Sequence, residues 1–314
     1  MHRVTVLAME GFVIFDLAIA VDMFSRAKSR TGMDLYETYV CGNSKSVKGH
    51  LFDLHLRDNL SILQQSDTII VPGVSDVQKP SEPTLLDALR KASDKGARIA
   101  SICSGAFVLA EAGLLDGLRA TTHWRGAEEL AARYPRVQVE ADVLFIDNGK
   151  ILTSAGVASG IDLCLHIIRR DHGAVAAADV ADNIVMPLER TGIHSQRIKH
   201  DVTGSSAMQD ILLWITENLN QDLGLEQIAE HFNLTSRTLG RWFREHTGIT
   251  ALQWILAAKI RRSQQLLETT DLSVEDVAAG AGFSSASAFR DRFHRITGAS
   301  PTTWRKTYRG LHNK

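Results

Sequence analysis

Short apolar runs bounded by turn-forming residues alternate with stretches of helical periodicity along the first two-thirds of the chain. Val4–Met9, Tyr36–Cys41, Thr68–Val71 and Arg98–Ile102 read as strands. Asp16–Lys28, Glu82–Lys95, Gly105–Ala112 and Gly126–Arg133 read as helices. Ile151–Ser154 is a late strand, and a long helix follows from about Gly160 to Arg170. Strands separated by helices are joined by crossovers, so the pattern predicts an α/β domain with a doubly wound, mostly parallel sheet. In such sheets ligands bind at the carboxyl ends of the strands, which makes the residues just after each strand the first candidates.

The pattern changes near residue 190. Arg190–Ala207 is polar, contains Gly192, Gly204 and a Ser-Ser pair, and reads as a linker. The organisation expected is therefore an α/β domain over 1–189, a linker over 190–209, an all-α domain over 210–309 and a tail over 310–314. The all-α domain repeats itself at a spacing of about 50 residues. Leu225-Glu226-Gln227-Ile228-Ala229 aligns with Val274-Glu275-Asp276-Val277-Ala278, and Thr247-Gly248 aligns with Thr297-Gly298. Each copy has helix-turn-helix logic. Ala229 and Ala278 supply the small side chain where two helices cross. Asn233 and Gly282, four residues on, are the types that best tolerate a left-handed turn. Hydroxyl N-cap candidates follow, Thr235 or Ser236 and Ser284 or Ser285. Second helices are expected at Arg237–His246 and Ala286–Thr297, and a helix from about Ala251 to Glu268 joins the copies. Leu239, Trp242 and Phe243, and then Phe289 and Phe293, fall on the core faces. Arg237, Arg241 and Arg244, and then Ser287, Arg290 and Asp291, fall on the opposite faces, where arginine forks onto guanine or binds phosphate.

A length of 314 residues fits two domains, and 44% hydrophobic with 23% charged residues is ordinary for a globular chain. No apolar run reaches the ~18–20 residues that span a bilayer, and one basic residue followed by a strand is no signal peptide. A cytoplasmic protein without membrane contact is expected. The net charge of −1 divides into +2 over residues 210–314, with 13 basic and 11 acidic side chains, and −3 over the rest. That difference is small, so the placement of the arginines says more than their number. Cys41, Cys103 and Cys164 are too few and too scattered for a disulfide framework, and no Cys/His spacing matches a zinc site. No metal and no cofactor are expected.

The chemistry concentrates at Ser101-Ile102-Cys103-Ser104-Gly105, where a strand runs into a cysteine and a helix begins at once. Small residues on both sides suit a sharp, strained elbow that lifts the thiol to a helix N-terminus, which is expected to lower its pKa. A buried cysteine that merely precedes a helix fits the same residues. His123, in the extended piece Ala120–Trp124 about 20 residues on, is expected near Cys103 if the two strand ends are adjacent. Asp16 starts the first helix, and its plainest role is an N-cap.

Two resemblances follow from these residues. Residues 1 to about 190 resemble the PfpI-type branch of the class I glutamine amidotransferase-like superfamily. The residues that carry it are Glu10-Gly11-Phe12…Asp16-Leu17, Val71-Pro72-Gly73, Ile102-Cys103-Ser104-Gly105, Ala112–Gly117, Ala120–Trp124 and Thr153–Val157…Asp162. The resemblance implies a reactive thiol at Cys103, a partner at His123 and an acid touching the thiol at Asp16. Arg125 stands where the amidotransferase triad has an acid, and Gly73-Val74 replaces the usual Gly-Gly of a loop whose N–H groups hold an oxyanion. A ligand pocket, or the remnant of a reactive site, is therefore expected from Asp16, Gly73, Val74, Cys103, Ser104, His123 and Trp124, with no confident catalytic residue. Residues from about Asp210 to Arg309 resemble the AraC-type DNA-binding domain, most specifically Asp276–Ser285…Phe289…Phe293…Gly298-Ala299-Ser300-Pro301…Trp304-Arg305. Ala251 departs from its usual proline. The resemblance places base contacts near Arg237, Gly240 and Arg241, with Arg244 beside them, and near Ala286, Ser287, Arg290 and Asp291. The order of the two domains resembles that of GlxA-type regulators in the AraC/XylS family. It implies a homodimer on double-stranded DNA that answers to an amino acid, amine or related metabolite and, as an activator, meets RNA polymerase. A cysteine-dependent amidase or hydratase fused to a DNA-binding domain is the alternative, and a redox sensor at Cys103 a third.

Overall fold

Thr68-Ile69-Ile70-Val71 and Arg98-Ile99-Ala100-Ser101-Ile102 lie side by side as parallel strands in the computed structural model, and apart from Arg98 every one of these residues is buried. Strands covered on both faces need an apolar or small residue at each position, which is why these runs are continuous rather than alternating. The structure describes residues 1–29, 31–186, 192, 196, 205–221 and 223–309. The chain divides into two units, Met1–Ile168 with Asp179–Gln196, and Arg169–Ala178 with Arg197–Lys314.

In the first unit the elements run β1 (His2–Leu7), α1 (Ile14–Arg26), β2 (Tyr36–Gly42), β3 (Ser46–Lys48), β4 (Asp53–His55), β5 (Asp58–Asn59), β6 (Thr68–Val71), α2 (Pro83–Asp94), β7 (Arg98–Ile102), α3 (Gly105–Glu111), β8 (Arg119–Ala120), α4 (Ala127–Arg133), β9 (Gln138–Val139), β10 (Phe145–Asp147), β11 (Ile151–Ser154) and α5 (Ala158–Asn183), of which Arg169–Ala178 belong to the second unit. Seven strands form the sheet in the order β10-β11-β7-β6-β1-β2-β5. All pairs are parallel except β10 with β11. The chain leaves β1 to place β2 on one side and later β6 on the other, so the winding reverses at β1. A core of Leu7, Ile69, Val71, Leu89, Ile99 and Leu109 packs between sheet and helices.

The expected strands and helices are present, with ends shifted by a few residues. The first strand and first helix both begin two residues earlier than their patterns indicate, at His2 and Ile14. The hairpin β3–β4 and the strands β5, β9 and β10 have no expected counterpart, because two or three residues carry no readable period, and of the extended piece Ala120–Trp124 only Ala120 lies in a strand, β8. The late helix begins at Ala158 and continues to Asn183 rather than ending near Arg170, and Gly173 breaks it at φ 92°. Of the expected linker, the structure describes Gly192, Gln196 and the residues from Ser205, where a helix has already begun. The Gln196 side-chain amide donates to Thr121 Oγ1 and to the carbonyls of Thr122 and Val143 at 3.0–3.1 Å. The rest of the linker and the tail 310–314 lie outside the described residues.

The second unit holds α6 (Ser205–Glu217), α7 (Leu225–His231), α8 (Ser236–Thr247), α9 (Ala251–Thr269), α10 (Val274–Gly280), α11 (Ala286–Thr297) and α12 (Pro301–Tyr308). Local chemistry sets their ends. Thr235 caps α8 by accepting the Thr238 N–H, and Ser285 caps α11 by accepting the Ala288 N–H. Thr250 and Gln253 form a reciprocal capping box on α9. Leu239, Phe243, Phe289 and Phe293 are fully buried, whereas Trp242, expected in the core, is only half-buried. It sits one residue before Phe243, about 100° round the helix, at the edge of the apolar stripe. Glu268 of α9 is buried and accepts the Ala174 and Val175 N–H groups and Trp304 Nε1 at 2.7–2.8 Å. The break at Gly173 exposes those two N–H groups, and the carboxylate caps them.

Candidate functional site

The elbow between β7 and α3 forms as expected. Cys103 lies in the left-handed region at φ 56°, a strained conformation for a residue with a side chain. Its N–H donates to the Ser154 carbonyl at 3.0 Å, and its carbonyl accepts the Thr122 hydroxyl at 2.8 Å. Two glycines make room. A Cβ at Gly156, itself at φ 86°, would stand 2.2 Å from Cys103 Cβ, and one at Gly73 would stand 2.6 Å from Asp16 Oδ2. The Ser104 hydroxyl closes the loop after β6, donating to the Val74 carbonyl at 2.7 Å and accepting the Val74 N–H at 2.8 Å. That N–H, expected to be free for an oxyanion, is thus already engaged. Neither Gly73 nor Val74 needs a positive φ, so valine fits where glycine is usual.

Asp16 does not cap its helix. Val13 holds the N-cap position, and Asp16 is fully buried in the first turn with Oδ1 accepting the Val157 N–H at 3.1 Å. Oδ2 makes no hydrogen bond of good geometry, although the Gly73 N–H and the Cys103 thiol lie close enough to favour the carboxylate. Burial wins over these contacts and raises the Asp16 pKa. The Cys103 thiol is likewise pushed up to about 11, first by burial and then by the charge of Asp16, against the opposing pull of the Ser104 N–H and hydroxyl. This reverses the acidic thiol expected from the helix N-terminus: α3 has seven residues, and its field is weaker than the cost of desolvating a thiolate beside a carboxylate.

His123 is not at the end of a neighbouring strand of the main sheet. It follows β8, which pairs with β9 in a separate two-stranded sheet, and it leads into a 3-10 turn at Trp124–Gly126. Its Nδ1 accepts the Arg125 N–H at 3.3 Å, and its ring stacks on Trp124, which is exposed. Burial, and next the Arg125 charge, lower its pKa. Among the described residues no hydrogen bond joins the imidazole to Sγ; its charge reaches Asp16 instead. The structure therefore brings Asp16, Gly73, Val74, Cys103 and Ser104 together, leaves His123 within electrostatic reach of Asp16, and exposes Trp124, stacked on His123. Thr122, Gly156 and Val157 complete the elbow. Gly156 and Val157 were marked in the sequence only by their place just after β11 and within the Thr153–Val157 stretch of the resemblance, and Val157 holds a positive φ of 51° that valine seldom adopts.

In the second unit both turns adopt the left-handed conformation expected, Asn233 at φ 53° and Gly282 at φ 76°. Arg237, Arg241 and Arg244 are exposed along one stripe of α8, and nothing lies within 4 Å of a Cβ at Gly240. On α11, Ser287, Arg290 and Asp291 are exposed and Ala286 is half-buried. Arg241 lies 3.9 Å from Glu245, while Arg290 forms an ion pair with Glu275 of α10. Each stripe borders a groove closed by the start of the next helix: Thr250 and Leu252 beside Arg237, Arg241 and Arg244, and Ser300–Thr302 beside Arg290, His294 and Arg295. Thr250, His294, Arg295 and Ser300 were missed from the sequence, since a groove between two helices has no linear pattern. Among the described residues no group of acidic, cysteine and histidine side chains has the makings of a metal site, and no helix is long and apolar enough to cross a membrane.

An α/β unit with an elbow thiol, in one chain with an all-helical unit presenting two basic second helices, defines a class: a transcription regulator that carries an α/β domain beside its DNA-binding one. The chain matches the DJ-1/PfpI family over residues 2–170 and a helix-turn-helix domain over residues 228–307. It is 30% identical over 302 residues to the HTH-type transcriptional regulator CdhR of Pseudomonas aeruginosa, covering 94% of this chain and 89% of the relative. It is 26% identical to the HTH-type transcriptional regulator GlxA of Rhizobium meliloti, covering 97% and 96%. An AraC family transcriptional regulator from Pseudomonas putida shares the fold of the α/β unit, with 22% identity and a TM-score of 0.52 over 59% of this chain and 100% of that one. So does Drosophila melanogaster DJ-1beta, with 20% identity and a TM-score of 0.52 over 60% and 99%. The chain belongs to the DJ-1/PfpI family and is a helix-turn-helix transcription regulator of the kind to which CdhR and GlxA belong.

Proposed function

We propose that this regulator is an activator that reads DNA through α8 and α11 and responds to a small nitrogen-containing metabolite held over the elbow. The two exposed stripes carry the reading. Arg237, Gly240, Arg241 and Arg244 face one segment of the duplex, and Ala286, Ser287, Arg290 and Asp291 face the next, one helical turn away. The α/β domain, 1–189, joins two copies into a homodimer, and the domain over 210–309 meets RNA polymerase at the promoter. Asp16, Gly73, Val74, Cys103, Ser104, His123 and Trp124 form the effector pocket. A hydrolase is disfavoured by Arg125 at the acid position and by the burial that pushes the Cys103 thiol up to about 11. An effector switches the protein only by binding one arrangement of it better than another.

Gel-shift titration of the full chain against fragments of its source genome tests this reading. Arg241→Ala and Arg290→Ala are each expected to weaken specific binding by about 1–3 kcal/mol while leaving the thermal transition unchanged. Loss of folding in either variant would contradict the solvent-facing assignment, and absence of specific binding would overturn the function. A thermal-shift screen of amino acids and amines identifies the effector, because a ligand of the native state stabilises it by RT ln(1 + [L]/Kd).

A further inference from the structure

Lys259 stands near the middle of α9, the helix that joins the two helix-turn-helix copies, and it is buried. A lysine in the interior gives up the hydration of its ammonium, so the site must supply other partners. Two of them come from different copies. Nζ donates to the Gly282 carbonyl, in the turn of the second copy. It also donates, at 3.4 Å, to the Gln221 carbonyl, in the segment that leads into α7 of the first. The Phe283 ring, whose centre lies 5.9 Å from Nζ, adds a weaker cation–π contact. The two backbones are close as well. A Cβ at Gly282 would stand 1.8 Å from the Leu219 carbonyl oxygen and 3.1 Å from that of Gln221. Carbonyl oxygens crowded at one place repel each other unless a donor sits among them, and a compact ammonium with three N–H groups meets that need.

The contact restrains what a bridging helix by itself does not. α9 has 19 residues and spans about 28 Å. Bending and twisting of such a bridge are resisted by the packing at its two ends. A bond from its middle to both copies closes a triangle and holds the copies at one mutual distance and angle. That angle matters on DNA. One base pair more or less between two half-sites moves the second by roughly 3.4 Å along the duplex and roughly 35° around it. We infer that Lys259 is a positioning residue that sets the spacing at which α8 and α11 engage DNA, so that two half-sites are accepted at one separation and rejected one base pair closer or farther. The inference rests on the reading that α8 and α11 both bind the duplex. Lys259 is buried and acts through the fixed distance between two binding surfaces, which makes the second contact effectively intramolecular.

Gel-shift titration of the full chain against a spacing series tests it. Duplexes are selected from a random-sequence pool, their half-sites are mapped by footprinting, and base pairs are added or removed one at a time within a single pair of half-sites. The unmodified chain is expected to lose at least 10-fold in affinity for each change of one base pair. Lys259→Met fills similar space without a donor. It is expected to lose at least 10-fold on the selected duplex, to change less than 2-fold on a duplex with one half-site, and to tolerate one base pair more or less within 3-fold. Ile260→Val, in the core of the second copy, controls for lost stability and is expected to keep the original spacing preference. A melting transition checks the fold of each variant, and if Lys259→Met does not fold, Lys259→Gln takes the same measurements. The inference is overturned if the unmodified chain binds all spacings equally or if the lysine variant keeps the original preference. It is equally overturned if that variant also loses single-half-site binding, or if Ile260→Val relaxes the spacing to the same degree. Failure to select any duplex removes the DNA-reading function and this inference with it, whereas duplexes bound without regard to spacing remove this inference alone.

Discussion

Asp16 and Cys103 hold protons more tightly than free side chains do, Asp16 because it is buried and Cys103 because it is buried and also meets the Asp16 charge. The native carboxyl keeps its proton to a higher pH than the unfolded one. Unfolding therefore releases that proton as the pH rises from about 4 through the native value, and stability falls across that window. Below it both states are protonated, the pH dependence vanishes and the stability is at its full value. Asp16→Asn keeps an oxygen for the Val157 N–H but cannot ionise, so denaturant midpoints measured from pH 4 to 7 are expected to lose this decline; parallel profiles for the two proteins would refute the assignment. The thiol has a reactivity consequence. Cys103 is partly exposed, whereas Cys41, pushed up to about 12, and Cys164, pushed up further by complete burial, are buried. Iodoacetamide followed by peptide mass spectrometry is expected to label Cys103 first, slowly at pH 7.5 and faster toward pH 10, since the thiolate is the nucleophile. Rapid labelling that does not change with pH would mean an acidic thiol after all. The elbow was legible because Ser101–Gly105 is a local pattern. The sign of the thiol shift was not, because Asp16 reaches Cys103 from 87 positions away along the chain.

At the scale of elements, two equivalent turns solve one problem under different constraints. Asn233 and Gly282 both take the left-handed conformation, and Asn233 is exposed. A Cβ at Gly282, by contrast, would stand 1.8 Å from the Leu219 carbonyl oxygen. Gly282→Ala therefore meets both backbone strain and a fixed backbone atom, and is expected to cost about 2–4 kcal/mol in chemical denaturation. Asn233→Gly removes strain and loosens the unfolded chain, and is expected to change stability by less than about 1 kcal/mol. Equal costs at the two turns would mean that Leu219 yields. The repeat revealed both turns, since a required φ leaves its mark on residue type. It did not reveal that the second turn is packed against the end of α6. Nor did it reveal Glu268 as the cap of the chain after Gly173, because a cap supplied from 94 residues away has no local motif.

For the whole molecule, a charge of +2 over residues 210–314 is too small to attract DNA by itself, and binding depends on where the arginines stand. If about six phosphates are neutralised, log K against log[salt] should fall with a slope of roughly −5. A slope near zero would exclude backbone contact by the two stripes. The full chain as a dimer should protect four successive half-sites, against two for residues 205–314 expressed alone. Equal footprints would remove the dimer from the proposal.

Composition and periodicity by themselves determined the alternation of strand and helix, the parallel sheet, the elbow, the repeat, its two left-handed turns and the arginine stripes. Each of these depends on residues within a few positions of one another, or on a period that a short window contains. The tertiary structure alone decided which strand ends meet. It moved His123 off the main sheet, occupied the Val74 N–H with Ser104, and turned Asp16 from a cap into a buried partner of Cys103. Those outcomes depend on the order in which strands are laid into the sheet, and on the cost of burying charge among neighbours from distant segments. Neither quantity is a property of any local stretch of sequence.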